Sequence, residues 1–256
     1  YDQIVSVGEL LSTKIVSAYL EQEGFANKWI DARDIIRTDN TYRNARIDWQ
    51  LTQQQISKYI SNNGVFLTQG FIGCTTENFT TTLGREGSDF TAAILGFALD
   101  AEEVTIWKDV DGMLNADPRY FDDAKLLNQL SFAEAIELAY FGAKVIHPKT
   151  IQPLKEKNIS LRIKSFLNPK EEGTVIFDNA EMEPFLPSFI IKENQILISI
   201  SANDLSFIVE DHLSYIFSLF DKYGLAINMM QNSAVSFSVC ADNDSQKTLL
   251  LISKLK

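Results

Sequence analysis

The chain of 256 residues carries 34 acidic and 23 basic side chains, giving a formal net charge of −11. This balance disfavours non-specific binding to nucleic acid or to an anionic membrane surface, and the hydrophobic content of 45% is typical of a globular protein. No apolar run approaches the roughly 20 residues that span a bilayer. Two distant cysteines, Cys74 and Cys240, lack metal-ligand spacing and favour a reducing cytoplasm. An acidic protein that handles anions must concentrate Arg and Lys locally, so we look for them near Gly-rich loops.

The first 177 residues alternate between strand and helix patterns. Residues 4–7 read as a strand, after which Gly8-Glu9 leads into a helix over residues 10–20. The helix over residues 90–99 has Ser88-Asp89 as predicted N-cap residues. The other predicted elements are strand 28–32, helix 52–62, strand 65–68, strand 104–107, a helix over 132–141 headed by a capping box at Ser131, a helix opened by Pro148 and strand 161–166. This order predicts one α/β domain with a largely parallel sheet over residues 1–177.

A second domain is predicted after a linker. Residues 178–188 are proline-containing and acidic and lack periodicity, so we interpret them as the linker. Within residues 189–256 the predicted elements are strand 195–201, helix 212–223, strands 226–230 and 235–240, and helix 245–255. This βαββα order is most of a ferredoxin-like α+β unit, which needs one more strand to complete it.

The most informative segment is TTTLGREGSD, residues 80–89. Three hydroxyl side chains precede a glycine-flanked arginine, and the turn runs straight into a helix. A helix start offers unpaired N–H groups, glycines let the backbone approach an anion, and Arg85 can hold a carboxylate or phosphate through two parallel hydrogen bonds. The segment predicts an anion site, with a capped helix behind a surface loop as the alternative.

Two further segments carry charge at positions where α/β proteins bind ligands. Lys108-Asp109 follows the strand over residues 104–107, at a predicted carboxyl edge of the sheet, and Arg119 lies shortly after. Lys144 stands between a helix end and Pro148 and is a candidate point charge for a triphosphate. The alternatives are a glycine turn with solvated charges and a surface lysine. No Walker motif, protein-kinase signature, Ser-His-Asp arrangement or metal-ligand cluster is present in the sequence.

Taken together and in this order, these segments resemble the amino-acid kinase family, and within it the aspartate kinases. The resemblance covers residues 4–177 and rests on Gly8-Glu9, FLTQGFIG at 66–73, TTTLGREGSD, KDVDG with ADPR, and FAEAIELAYFGAKVIHP at 132–148. Residues after the linker are similar to an ACT regulatory domain. The resemblance implies a three-layer α/β sandwich followed by a partial ACT domain, and a homodimer formed through ACT pairing.

The family resemblance also implies a reaction and a set of site residues. The reaction is transfer of the ATP γ-phosphoryl group to the β-carboxylate of L-aspartate, with Mg²⁺ bridging phosphate oxygens, as the first step toward lysine, threonine and methionine. Arg85 and Asp89 are the catalytic candidates. Arg85 is expected to clamp the α-carboxylate, Glu9 to pair with the ammonium, Phe71 and Ser88 to line the pocket, and Asp89 to hold an essential lysine. Expected ATP contacts are Lys108, Asp109, Leu114, Arg119 and Lys144. Expected contacts for a lysine or threonine effector are Ser206, Val209, Ile227, Asn228 and Ser233.

Several residues depart from the family pattern. The family usually has Gly at Glu86, Thr at Lys108 and Tyr at Leu114, and we expect the Glu86 side chain to point outward if activity is kept. The family's Lys-Phe-Gly-Gly segment, with its catalytic lysine, does not occur in these residues, so we expect the 256 residues alone not to phosphorylate aspartate. The alternatives are a kinase for glutamate, carbamate or a nucleoside monophosphate, and an inactive amino-acid sensor. The sequence does not distinguish a stand-alone kinase from one fused to homoserine dehydrogenase.

Overall fold

The computed structural model describes residues 1–61, 63–142, 145–178, 186–202 and 206–255. They form two compact units, Tyr1–Ile190 and Ile191–Lys256. Among the described residues, no helix is long and apolar enough to cross a membrane.

The first unit mixes helices and strands throughout. Its helices are α1 (Asp2–Gln22), α2 (Ala32–Ile35), α3 (Trp49–Tyr59), α4 (Gly87–Ala98), α5 (Phe132–Phe141) and α6 (Pro148–Glu156). Its strands are β1 (Lys28–Trp29), β2 (Phe66–Leu67), β3 (Ile72–Cys74), β4 (Thr80–Thr82), β5 (Glu103–Lys108), β6 (Gln129–Ser131), β7 (Ser160–Ser165) and β8 (Thr174–Phe177).

Parallel pairing predominates among these strands. Strand β1 pairs with β2, β5 with β7 and β6 with β8 in parallel, whereas β3 with β4 and β7 with β8 are antiparallel. The largest sheet has the order β5-β7-β8-β6. The predicted α/β class with a largely parallel sheet is therefore confirmed, and the sequence patterns missed β3, β4, β6 and β8.

Two local predictions in this unit are confirmed. Ser131 caps α5 through a capping box with Glu134, and Gly142 ends that helix. Pro148 occupies the first turn of α6, where its missing N–H costs no hydrogen bond.

The predicted strand over residues 4–7 is wrong, because α1 is one continuous helix from Asp2. The β-branched residues Ile4, Val5 and Val7 favour a strand when read alone. Ile4 and Val7 also continue the helical spacing of Leu11 and Ile15, and extending a helix costs far less free energy than starting one. The stripe formed by these four residues is exposed, and α1 buries Asp2, Ser6 and Ser17 instead.

Helix α4 contributes to both hydrophobic clusters of the first unit. Its Ala93 packs in the cluster formed with β5, α5, α6 and β7, while Phe90 and Ile94 pack in the cluster formed with α2, α3 and β3. A Cβ at Gly96 would overlap the Val104 side chain, so this glycine lets α4 lie directly against β5. The helix start at Gly87 is consequently held by packing on two sides.

The second unit confirms the predicted βαββα order. Its elements are β9 (Gln195–Ser201), α7 (Glu210–Tyr223), β10 (Ile227–Asn232), β11 (Ser236–Asp242) and α8 (Ser245–Leu255). The strands form an antiparallel sheet in the order β10-β11-β9. Alternate residues of β11, Phe237, Val239 and Ala241, are buried against the two helices, as expected for a sheet covered on one face.

Candidate active site

The turn between β4 and α4 carries Arg85 on an unusual backbone. Gly84 has φ +82°, and Glu86, the N-cap residue of α4, has φ +52°. The Leu83 N–H donates to the Phe71 carbonyl at 2.8 Å, and the Gly87 N–H donates to the Gly84 carbonyl at 3.1 Å. Ser88 and Asp89 lie inside the first helical turn, so the prediction that they cap the helix is wrong. The exposed Arg85 side chain stands at this helix start, where the helix dipole favours an anion.

The Gly70-Phe71 segment lies directly on the start of α4. A Cβ at Gly70 would be 2.8 Å from the Cα of Ser88, and one at Gly87 would be 2.8 Å from Cδ2 of Phe71. The Phe71 N–H also donates to Thr91 Oγ1 at 3.0 Å. Phe71, Ser88 and the Arg85 turn, which the sequence assigned to one substrate pocket, are thus brought together.

Glu9 stands on α1, and two contacts anchor that helix to this region. The buried Asp2 carboxylate accepts hydrogen bonds from the Thr82 N–H at 2.9 Å and the Arg43 N–H at 3.0 Å. One turn beyond Glu9, Thr13 Oγ1 accepts a hydrogen bond from Gln69 Nε2 at 2.8 Å. Because these contacts flank Glu9, they fix its helix against both β4 and the segment leading to Phe71.

Asp89 and Lys108, predicted to serve substrate and nucleotide respectively, form an ion pair. Lys108 Nζ lies 2.8 Å from Asp89 Oδ2, and the side chains are only 20% and 16% exposed. The two charges are in contact, although their geometry is not that of an aligned hydrogen bond. Lys108 ends β5 and Asp89 lies in the first turn of α4, so the pair joins the nucleotide side of the predicted site to the substrate side.

The other predicted nucleotide contacts follow β5. Asp109 is exposed, and Leu114 is half-buried where its backbone bridges to Leu126. Arg119 hydrogen-bonds the Asp117 carboxylate, and this contact lowers the pKa of Asp117. Lys144 lies outside the described residues.

Glu86 does not turn its whole carboxylate into solvent, contrary to the expectation from the sequence. Its Oε2 is shielded from water and has no hydrogen-bond donor among the described residues. The residue also occupies the left-handed region, which disfavours side chains other than glycine. Both features raise the free energy of the folded chain at this position.

Comparison with known proteins identifies the family to which this chain belongs. The model of the amino acid kinase family matches residues 1–165, and these include α1, the Arg85 turn and the Asp89–Lys108 pair. The chain belongs to the amino acid kinase family.

Aspartokinases are among the proteins of this family that the chain is similar to. The chain is 34% identical to lysine-sensitive aspartokinase 3 of Escherichia coli K12, over 94% of this chain and 54% of that protein. It matches the crystal structure of E. coli aspartokinase III with lysine and aspartate at a TM-score of 0.84 and 33% identity, over 99% of this chain and 58% of that one. The complex of the same enzyme with aspartate and ADP matches at 0.79 and 32% identity, over 99% and 59%. The chain thus spans somewhat more than half the length of these relatives.

Lys149 lies beside the Arg85 turn, and the sequence patterns did not single it out. It stands on α6, and its Nζ donates to the Leu83 carbonyl at 3.1 Å and to Asn44 Oδ1 at 3.2 Å. Burial lowers its pKa. A cavity of about 760 Å³ adjoins it, and the charged or titratable lining residues are Arg43, Arg46, Arg85, His147, Lys149 and Glu156. No local motif signals Lys149, because Leu83 and Asn44 lie far away in sequence.

The predicted effector residues lie at two ends of the β10 strand. A backbone hydrogen bond from Ile208 to Ala234 brings the loop of Ser206 and Val209 beside Ser233. Ile227 and Asn228 begin β10 at its opposite end. There Asn228 accepts a hydrogen bond from Lys192 and donates to Asp242, whose pKa falls to about 2 through hydrogen bonds from Gln195, Lys192 and Asn228.

Replacing Glu86 by glycine is expected to stabilise the first unit. Glu86→Gly removes both the left-handed strain and the unpartnered buried oxygen, and should raise the free energy of unfolding by about 1 kcal/mol despite the added flexibility of glycine. Thermal or urea unfolding followed by circular dichroism measures the change.

Asp100→Gly is a matched control. Asp100 also has a positive φ, +49°, and it lies just past the opposite end of α4, away from the Arg85 turn. The Asp100→Gly variant loses an ion pair with Lys157, so its free energy of unfolding should rise less than that of Glu86→Gly. A drop in stability for Glu86→Gly would contradict our interpretation of this position.

Proposed function

We propose that the complete gene product containing this chain transfers the γ-phosphoryl group of MgATP to the β-carboxylate of L-aspartate. The proposal rests chiefly on one arrangement: Arg85 stands at the start of α4, and Asp89 in the first turn of the same helix pairs with Lys108 at the end of β5. Similar structures add support, since E. coli aspartokinase III was crystallised with aspartate and with ADP. An anion-binding turn beside a lysine suits a reaction that joins two anions.

On the substrate side, Arg85 would hold the α-carboxylate of aspartate through two parallel hydrogen bonds. Glu9 would pair with the ammonium group, and Phe71 and Ser88 would line the pocket around the side chain. The rigid seating of Phe71 against Gly87 supports this assignment, because it fixes the pocket wall relative to the guanidinium. These contacts leave the β-carboxylate as the free end that receives the phosphoryl group.

On the nucleotide side, Lys108 would neutralise charge on the transferring group while Asp89 holds its ammonium in place. Asp109, Leu114, Arg119 and Lys144 would contact the nucleotide. Within the described ranges, no group of three or more His, Cys, Asp or Glu side chains could hold a metal ion. Because Mg²⁺ is usually held by substrate phosphates together with one or two carboxylates, we assign it to the phosphates of the incoming nucleotide, so that the substrate is MgATP.

Substitution of Arg85 tests the substrate assignment. Arg85→Lys keeps the charge but loses the two-pronged hydrogen bonding, so the KM for L-aspartate should rise about tenfold or more while the KM for MgATP stays within about twofold. ADP release by the complete gene product measures both constants, because we expect the 256 residues alone to be inactive.

Arg162→Lys is the matched control. Arg162 on β7 pairs with Glu103 on β5, outside the predicted site. It should leave both constants unchanged. The proposed function fails if the unmodified gene product releases no aspartate-dependent ADP, and the role of Arg85 fails if Arg85→Lys behaves like Arg162→Lys.

Substitution of Lys108 tests the nucleotide assignment. Lys108→Met removes the cation and leaves the Asp89 carboxylate near the phosphates, so kcat should fall about 100-fold, with a smaller change in the KM for L-aspartate. Single-turnover rates at saturating substrates measure the effect. A Lys108→Met variant with normal kcat would show that this lysine acts in structure alone.

We also propose that residues 191–256 belong to an ACT regulatory unit that binds lysine and pairs two copies of the protein in the cytoplasm. The βαββα topology supports the domain, the name of the lysine-sensitive relative supports the effector, and the two free thiols support the compartment.

Titration calorimetry of the complete gene product tests the effector. L-lysine should give saturable heat, whereas D-lysine and L-threonine should not. Heat from L-threonine but not from L-lysine would show that the effector has been assigned wrongly.

A further inference from the structure

Lys149 links three separate segments of the first unit at one ammonium group. It stands on α6, donates its backbone N–H to His147 Nδ1, and directs Nζ to the Leu83 carbonyl and to Asn44 Oδ1. The same Nζ lies 4.6 Å from the ring centroid of Phe90 on α4. These contacts join α6 to the loop of Asn44 and to Leu83, which follows β4 and directly precedes Gly84 and Arg85.

The contact of Lys149 with Asn44 also constrains the Arg85 turn, because Asn44 packs on Gly84. A Cβ at Gly84 would meet Asn44 Oδ1 at 2.7 Å, so the side-chain amide of Asn44 packs directly on the backbone of Gly84. Lys149 therefore hydrogen-bonds to both neighbours of the Gly84 backbone: the carbonyl of Leu83, which precedes it, and the side-chain oxygen of Asn44, which packs on it. With both constraints in place, the backbone that carries Arg85 has little freedom to move.

Helix stability does not explain a lysine at this position. Lys149 lies in the first turn of α6, where the helix dipole disfavours a cation. The acceptors of its Nζ, the Leu83 carbonyl and Asn44 Oδ1, are both neutral, and burial lowers the pKa of Lys149. Lys157, at the other end of α6, differs from it in helix position and in having a charged partner. That end of the helix favours a cation, and Lys157 pairs with Asp100. Like Lys149, it also lies near a phenylalanine ring of α4, 4.3 Å from the Phe97 ring centroid.

We propose that Lys149 is a positioning residue, whose ammonium fixes the Leu83 carbonyl and thereby aims Arg85 at the α-carboxylate of the substrate. The inference deepens the proposed function and rests on it. Lys149 also adds positive charge to a cavity that Arg43, Arg46 and Arg85 line. Two effects follow from the one side chain: the turn keeps its shape, and the region attracts an acidic amino acid to a protein that is acidic as a whole.

The test compares the two lysines of α6 in the complete gene product. Lys149→Met should raise both the Kd and the KM for L-aspartate about tenfold, while the KM for MgATP stays within about twofold. Lys149→Arg keeps the charge and the donors, and should stay within about threefold of the unmodified protein. Lys157→Met removes an equivalent contact with an α4 phenylalanine and its carbonyl, and should leave the KM for L-aspartate unchanged. Calorimetry, initial rates and thermal unfolding give the three readouts.

A second variant keeps the inference testable if Lys149→Met does not fold. Asn44→Ala removes one acceptor and the amide that packs on Gly84, and should raise the KM for L-aspartate about threefold. The inference is overturned if either variant loses thermal stability without weakening L-aspartate binding, or if the KM values for L-aspartate and MgATP rise together. If the unmodified protein itself binds no L-aspartate, the proposed function falls first, and this inference falls with it.

Discussion

The buried carboxylate of Asp2 holds together the parts of the first unit that carry the candidate site. It accepts hydrogen bonds from the backbone of Thr82 and of Arg43, so the start of α1 is tied to the strand that leads into the Arg85 turn. An acid in the first turn of a helix is also favoured by the helix dipole. The distance between the carboxylate of Glu9 and the guanidinium of Arg85 depends on this junction, since each stands on one of the two elements it joins. A pocket for an amino acid needs an anion and a cation at a fixed separation, and Asp2 supplies the constraint that sets it.

The site also shows how an acidic chain can attract anions. Its cations differ in how far they are neutralised: Lys108 is paired with Asp89, Lys149 meets neutral oxygens in the described contacts, and Arg85 is exposed at a helix start. A paired lysine is held in place and part of its charge is offset, whereas a lysine bonded to neutral groups keeps its full positive potential. Under the proposed function these cations would have two tasks. Lys108, held by Asp89, would meet the phosphates at a fixed position, and Arg85 and Lys149 would attract the carboxylate.

The sequence predicted most of what local periodicity can determine. The βαββα order of the second unit, the capping box at Ser131 and the helix opened by Pro148 depend on neighbouring residues and are confirmed. The strand predicted over residues 4–7 failed because β-branched residues fit both a short strand and the start of a long helix. The contacts of Asp2 with Thr82 and of Lys149 with Leu83 join residues 80 and 66 positions apart. Such pairs depend on how elements pack, and no spacing rule within one segment reports them.

Two departures from the family pattern compensate each other in charge. Where relatives of the resembled family have Gly and Thr, this chain has Glu86 at the N-cap of α4 and Lys108 at the end of β5. The first adds a negative charge at the helix start and the second adds a positive one, and Lys108 pairs with Asp89, three residues after Glu86. The net charge around the start of α4 is therefore the same as with the two neutral residues. Under the proposed function the turn would bring aspartate and a triphosphate together, and there an extra carboxylate would oppose binding unless a cation accompanied it. Lys108, in contact with Asp89 at the same helix start, would be that cation.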